Sequence, residues 1–190
     1  MGLTAGFALC GSFCTIERVL NVMERMAKDG WNIIPIVSEP LSKEDTRFGT
    51  AADTLSRIEH ICGRPAMQTL QEVEPIGPKK MMDVLIVAPC TGSTLARLAN
   101  GLSDTPVTLA VKSQLRIERP VVLAVSTNDA LAGSAPNIAA LLLRKHYYFV
   151  PMRQDAPHTK PRSLVAVMEN IPETARAAAE GKQVQPILMG

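Results

Sequence analysis

The chain has 190 residues, 46% of them hydrophobic and 20% charged, with a formal net charge of +2 at pH 7. That length favours a single domain over residues 1–190, with enough apolar mass for a sizeable core. The charge is too small, and Lys and Arg too scattered, for a nucleic-acid partner, and no run reaches the roughly 18 apolar residues of a membrane span. The start, Met1-Gly2-Leu3-Thr4, lacks the basic region of a secretory signal, so a cytoplasmic location is expected.

The apolar run Leu3–Leu9 predicts a first strand, ending at Cys10-Gly11-Ser12. Phe13, Ile16, Val19, Leu20, Met23 and Met26 then repeat at helical spacing until Asp29-Gly30 stops them. Asn32–Val37 reads as a second strand closed by Ser38-Glu39-Pro40, and the polar stretch to Thr50 as a connection. Leu55, Ile58 and Ile61 mark a helix, and Met67–Val73 another, broken by Pro75 and Pro78. Asp83–Ala88 is the most continuous buried strand and stops at Pro89. Leu95, Leu98, Ala99 and Leu102 share one helix face, with Thr94 as the expected N-cap and Gly101 as the stop. Asp104-Thr105-Pro106 opens a further helix, because proline is well suited to a first helical position. Pro120–Val125 predicts a strand, Pro136–Lys145 a helix and His146–Val150 the last strand. A polar loop, Pro151–Arg162, then leads to a helical tail interrupted at Pro172.

Strands alternate with helices, and several strands are apolar on both faces. This predicts an α/β fold: a Rossmann-like, doubly wound parallel sheet in three layers, α/β/α. Ligands of such sheets bind at the carboxyl ends of the strands. The loops expected there are Gly11-Ser12, Ser38, Pro89-Cys90-Thr91-Gly92-Ser93-Thr94 and Ser126-Thr127-Asn128-Asp129. Small side chains let the backbone approach a ligand, and hydroxyls with helix-start N–H groups cradle a phosphate. The dinucleotide fingerprint is missing from the first turn. Gly6 and Gly11 have the glycine spacing of an ATP-binding loop, but Phe13 follows Ser12 and no lysine is there. A mononucleotide such as FMN fits better. Cys10, Cys14, Cys62 and Cys90 form no Cys-x-x-Cys pair and no zinc-finger pattern, so the thiols are expected to be reduced and partly buried, with no metal.

These motifs resemble the flavoprotein family that includes the flavin-containing cysteine decarboxylases. The family's Pro-Ala-Ser-Ala-Asn-Thr motif corresponds to Pro89–Thr94, and its Ala-Asn-Gly to Ala99-Asn100-Gly101. Its Pro-x-Met-Asn motif appears as Ser126-Thr127-Asn128, and the likeness continues to the closing Gly181–Leu188. The resemblance implies that Gly11, Ser12 and Ser38 meet the flavin phosphate region. It also implies that Pro89, Thr91, Gly92, Ser93, Thr94 and Asn100 shape the central flavin loop, and that Ser126, Thr127 and Asn128 approach the reacting group. It further implies FMN bound at contacts between copies of a homo-oligomer, usually a trimer. Within the family, the likeness implies work with a second subunit that carries an NAD(P) site. The joint task would be oxidation of a dihydro precursor to an aromatic pyridine dicarboxylate, in the mother cell of a sporulating bacterium. A dianionic product calls for cations, and Arg47, Arg153, Lys160 and Arg162 are the candidates.

Peptidyl-cysteine decarboxylation is disfavoured. The family's catalytic histidine, about fourteen residues before the central proline, is replaced here by Pro75; Ser93 stands for the motif's asparagine and Thr127 for its methionine. His60, His146 and His158 read as structural or solvent-exposed, and no general base is assigned. Two rival functions share this fold: a prenyl-type transferase that handles reduced flavin, and a scaffold subunit without chemistry of its own.

Overall fold

The computed structural model of the chain describes residues 2–47 and 49–190 and leaves aside the Phe13 side chain. Met1 and the first apolar side chain of the helical repeat therefore lie outside the described residues. Strand β1 (Thr4–Leu9) leads to α1 (Phe13–Lys28), whose last turn closes at Asp29 and Gly30. Gly30 takes φ +83°, a left-handed conformation that a β-carbon would oppose, and this turns the chain into β2 (Asn32–Val37). The helices α2 (Glu39–Lys43), α3 (Ala51–Cys62) and α4 (Leu70–Val73) follow, then a 3₁₀ turn at Glu74–Ile76. The second half comprises β3 (Val84–Cys90), α5 (Gly92–Ala99), α6 (Pro106–Leu115), β4 (Val121–Thr127), α7 (Ala135–Leu142) and β5 (Tyr147–Phe149). The short strands β6 (Met152–Arg153) and β7 (Leu164–Ala166) precede α8 (Ile171–Ala179).

Five strands are parallel in the order β2-β1-β3-β4-β5. Beyond them, β7 pairs antiparallel with the last residues of β4, and β6 with β7. Alternation along each central strand divides two cores. Phe7, Leu9, Val84, Ile86 and Val122 face one way, against α1, α3 and α8. Ala8, Cys10, Leu85, Val87 and Leu123 face the other way, against α5, α6 and α7. The result is the three-layer, doubly wound arrangement, with every residue of β3 buried.

Several local expectations are corrected. The polar stretch after Ser38 contains α2, with Pro40 in its first turn, where proline's missing N–H costs nothing. Strand β3 runs through Pro89 to Cys90, and its register with β4 shifts between Val87 and Cys90. Thr91, not Thr94, caps α5, because its hydroxyl is the group that accepts the Thr94 N–H. Pro75 lies in the first turn of the 3₁₀ segment and Pro172 in the first turn of α8, so both prolines open helical turns that they were expected to break. Helix α7 ends at Leu142, and His146 sits before β5 at φ +68°. Nor is β5 the last strand, since β6 and β7 lie within or just after the predicted polar loop.

Candidate functional site

The chain leaves β1 and β3 toward opposite faces of the sheet, because α1 packs on one core and α5 on the other. Neighbouring strands with divergent connections leave a crevice at their carboxyl ends. A cleft of about 500 Å³ lies there, with Cys10, Gly11, Ser38, Thr91, Ser93 and Arg97 among its walls. That size falls within the usual range for small-molecule sites.

Three features make this rim receptive to an anion. Ser12 is the N-cap residue of α1, yet its side chain caps no backbone N–H, and the first turn carries no carboxylate. A helix of 16 residues thus presents uncompensated N–H groups and the positive end of its dipole. The Ser12 hydroxyl instead lies 3.0 Å from that of Ser126 at the end of β4, and Thr15 Oγ1 is 3.0 Å from Ser12 Oγ. Side chains separated by more than a hundred positions are thereby joined into one hydroxyl cluster. The third feature is Ser38, whose buried Oγ has no hydrogen-bond partner among the described residues. An unpaired buried hydroxyl is costly, which makes Ser38 a site of unmet hydrogen-bonding demand beside the cleft.

The floor of the cleft is neutral. Thr94 Oγ1 donates to Cys10 Sγ at 3.3 Å and lies 3.0 Å from Thr91 Oγ1. Burial pushes the Cys10 thiol up to about 11, with the Thr94 hydrogen bond opposing the shift. Burial also holds the Cys90 thiol well above its ordinary range, and neighbouring Cys10 adds to this. Both remain protonated at neutral pH, so neither is a ready nucleophile. Of the other thiols, Cys62 is half-buried but Cys14 is exposed, against the expectation of partial burial for all four.

The β4–α7 loop presses on the start of α5. Asp129 Oδ1 accepts hydrogen bonds from Thr127 Oγ1 at 2.6 Å and Ser134 Oγ at 2.7 Å, which hold its carboxyl below the usual aspartate range. A β-carbon on Gly92 would sit 2.9 Å from both the Ser134 and Thr127 hydroxyl oxygens and 3.2 Å from Asp129 Oδ1. Glycine is required there by close approach.

The structure brings together Gly11, Ser12, Ser38, Thr91, Ser93, Thr94 and Ser126, while Gly92 and Thr127 meet just behind the cleft wall. Pro89 is buried within β3, and Asn128 is exposed on the adjoining loop. Asn100 is not part of the rim. It caps the far end of α5, where its Nδ2 donates to Ala96 O, and an eight-residue helix displaces it by roughly 12 Å. The four proposed substrate cations do not converge. Arg153 lines a separate cleft of about 600 Å³ beside Arg18 and Asp155, and Lys160 is paired with Asp155 at 3.2 Å. Arg47 and Arg162 lie on exposed stretches outside both clefts. None of the three histidines lines the rim cleft either.

The sequence reading missed Arg97, the cation that does line the rim cleft, paired with Asp104 at 3.3 Å. The available signal was its spacing of three from Thr94, which puts both on one helix face. It also missed Thr15, three residues from Ser12, which was chosen. Among the described residues, no group of three or more His, Cys, Asp or Glu side chains is placed to hold a metal, and no helix is long and apolar enough to cross a membrane.

A doubly wound sheet with a hydroxyl-lined crevice at its switch point is the architecture of an α/β protein of the flavoprotein type. The chain belongs to the flavoprotein family, whose model matches residues 2–146. It is 40% identical over 188 residues to the B subunit of dipicolinate synthase from Bacillus subtilis (strain 168), covering 99% of this chain and 94% of that relative. The crystal structure of the dipicolinate synthase B subunit from Bacillus halodurans C superposes with a TM-score of 0.91 at 41% identity, over 100% of this chain and 97% of that one. The FMN-dependent cysteine decarboxylase SpaF shares the fold, with a TM-score of 0.66 at 19% identity over 94% of this chain and 97% of that one.

Proposed function

We propose that the chain is the flavoprotein component of a dipicolinate synthase, holding FMN in the carboxyl-edge crevice. Together with the synthase's A subunit, which carries the NAD(P) site, it takes part in oxidising a dihydrodipicolinate-type precursor to dipicolinate. The likeness to dipicolinate synthase B subunits over nearly the full chain supports this reading, and so does a relative described as FMN-dependent. The single observation that carries it is one carboxyl-edge cleft lined by Gly11, just before the uncapped start of α1, together with Ser38, Thr91 and Thr94.

In this reading, Ser12, Ser38 and the α1 N–H groups bind the phosphate. Thr91, Ser93 and Thr94 line the wall against which the ring lies, and the protonated Cys10 thiol keeps the floor uncharged. When bound, the flavin supplies a two-electron acceptor for the two hydrogens removed as the precursor becomes aromatic. Arg97 is the cation that attracts a precursor carboxylate, and Asp104 holds its guanidinium against the wall. The fold works as one domain over residues 1–190, and copies assemble into a homo-oligomer, a trimer or a multiple of trimers, in the cytoplasm of the mother cell. Decarboxylation of a peptidyl cysteine is not proposed, because Pro75 stands where the base would be.

Titrating the purified chain with FMN, followed by flavin fluorescence, tests the binding claim. Saturable quenching at one equivalent per chain is expected, and none would overturn it. Mixing both components of the synthase with precursor and pyridine nucleotide, with and without FMN, tests the chemistry. Product absorbance in the ultraviolet should rise faster when FMN is present.

A further inference from the structure

The opposite edge of the sheet carries a second cleft of different chemistry. It lies where α5 and α6 end and β5 begins, encloses about 480 Å³, and has an apolar floor of Leu98, Val111, Leu115 and Tyr147. Four cations stand around it: Lys112, Arg116, Arg144 and Lys145. No acidic residue lines the cleft, and none of these cations forms an ion pair among the described residues. Arg144 is fixed in place, because its guanidinium donates to Leu98 O and Ala99 O at the end of α5. Burial pushes the Tyr147 hydroxyl up to about 12, even with Arg144 beside it, so it stays a neutral hydrogen-bonding group in the floor.

One leucine continues this apolar surface into solvent, and another is exposed at a residue adjoining the cleft in sequence. Leu102, on the cleft wall, is 52% exposed, and Leu143, next to Arg144 in sequence, is 89% exposed. A soluble surface rarely gathers apolar side chains around unpaired cations without something to cover them. A small anion would satisfy the charges but leave Leu102 and Leu143 wet. A protein segment that carries carboxylates around a large apolar side chain would satisfy both.

We infer that this amino-edge face docks an acidic, apolar segment of the synthase's A subunit. The occupant's identity rests on the function proposed above, whereas its chemistry rests on the cleft alone. Docking at the amino edge leaves the carboxyl-edge crevice open, so the partner joins the enzyme without covering the flavin.

The experiment measures how tightly the purified A subunit holds the full chain, by calorimetry at 50 and 300 mM NaCl. The variants are Lys112→Glu/Arg116→Glu, which reverses two charges on the cleft wall, and Leu102→Ser, which removes an exposed leucine. Neither alters the core, and circular dichroism with FMN titration checks that each variant stays folded with an intact crevice. The charge reversal should weaken partner affinity at least tenfold at low salt and Leu102→Ser about threefold, while wild-type affinity falls as salt rises. Unchanged affinity in both variants would overturn the inference, as would an absence of wild-type complex. Sedimentation velocity supplies another overturning result: if the variants dissociate a homo-oligomer of this chain, the face joins copies and not the partner. Failure of FMN to bind the wild-type chain would remove the flavin reading and leave the docking result standing.

Discussion

The two ends of α5 sit in opposite worlds. Its start is built from Thr91, Gly92, Ser93 and Thr94, all small or hydroxylated, and faces a crevice lined by hydroxyls. Its end, near Leu98 and Leu102, faces a greasy hollow ringed by cations. One helix thus separates a surface of small, hydroxylated residues from an apolar one ringed by cations. A sequence motif therefore locates a residue along the chain without saying which face it serves. Asn100 belongs to the same run of motif residues as Thr91, yet it serves the helix's last turn.

The polar end is most vulnerable at Gly92. Gly92→Val places a branched side chain where even one β-carbon would come within 3 Å of two hydroxyl oxygens. The β4–α7 loop must then lift away, and overpacking of this kind costs about 1–3 kcal/mol. A drop in the urea midpoint, together with loss of FMN quenching, is expected. Normal stability and normal flavin affinity would show that the close packing of loop on helix is unimportant.

How far this contrast was legible depended on pattern length. Val84–Ala88 announced a buried strand because five apolar residues in a row admit few alternatives, and the apolar runs of β1 and β4 did the same. The hydroxyl loops at the strand ends followed from the parallel topology, since the strand order decides which loops share an edge. Strands β6 and β7 were invisible because two or three residues cannot display a period of two. Pro75 and Pro172 were misjudged because proline blocks the middle of a helix but suits its first turn, and only the positions of neighbouring caps decide which applies. Three of the four proposed substrate cations were chosen from a charged loop and the fourth, Arg47, from a polar connection, whereas the cation that reaches the crevice, Arg97, lies within an amphipathic helix where charge looks like ordinary solvation.

Ser38→Ala separates a binding hydroxyl from a structural one more finely. In the free protein the Ser38 hydroxyl is buried without a partner, so its removal should not destabilise the fold and can add up to about 1 kcal/mol. A hydrogen bond to a charged phosphate oxygen contributes about 1.5–3 kcal/mol, so FMN affinity should fall at least tenfold. Those opposite signs, read by urea unfolding and by fluorescence titration, are the test; loss of stability with unchanged affinity would make Ser38 a structural residue. Leu102→Ser, at the other end of the same helix region, should leave FMN affinity within about twofold and so calibrates the contrast.

The smallest effect concerns charge at the polar end. The hydrogen bonds from Thr127 and Ser134 depress the Asp129 pKa in the folded state, so the ionised carboxylate favours folding. A depressed folded pKa adds stability above the unfolded value of about 3.9 and loses it as pH falls through the folded one. Asp129→Asn keeps an oxygen to accept the hydroxyls but removes the charge. Because Asp129 is exposed, solvent screening limits the loss at pH 7 to under about 1 kcal/mol. The gap between wild type and variant, measured by urea unfolding at pH 7, 5 and 3, should narrow toward the acid end. A gap that stays constant with pH would mean that the loop is held by packing on Gly92, with the carboxylate's charge contributing nothing.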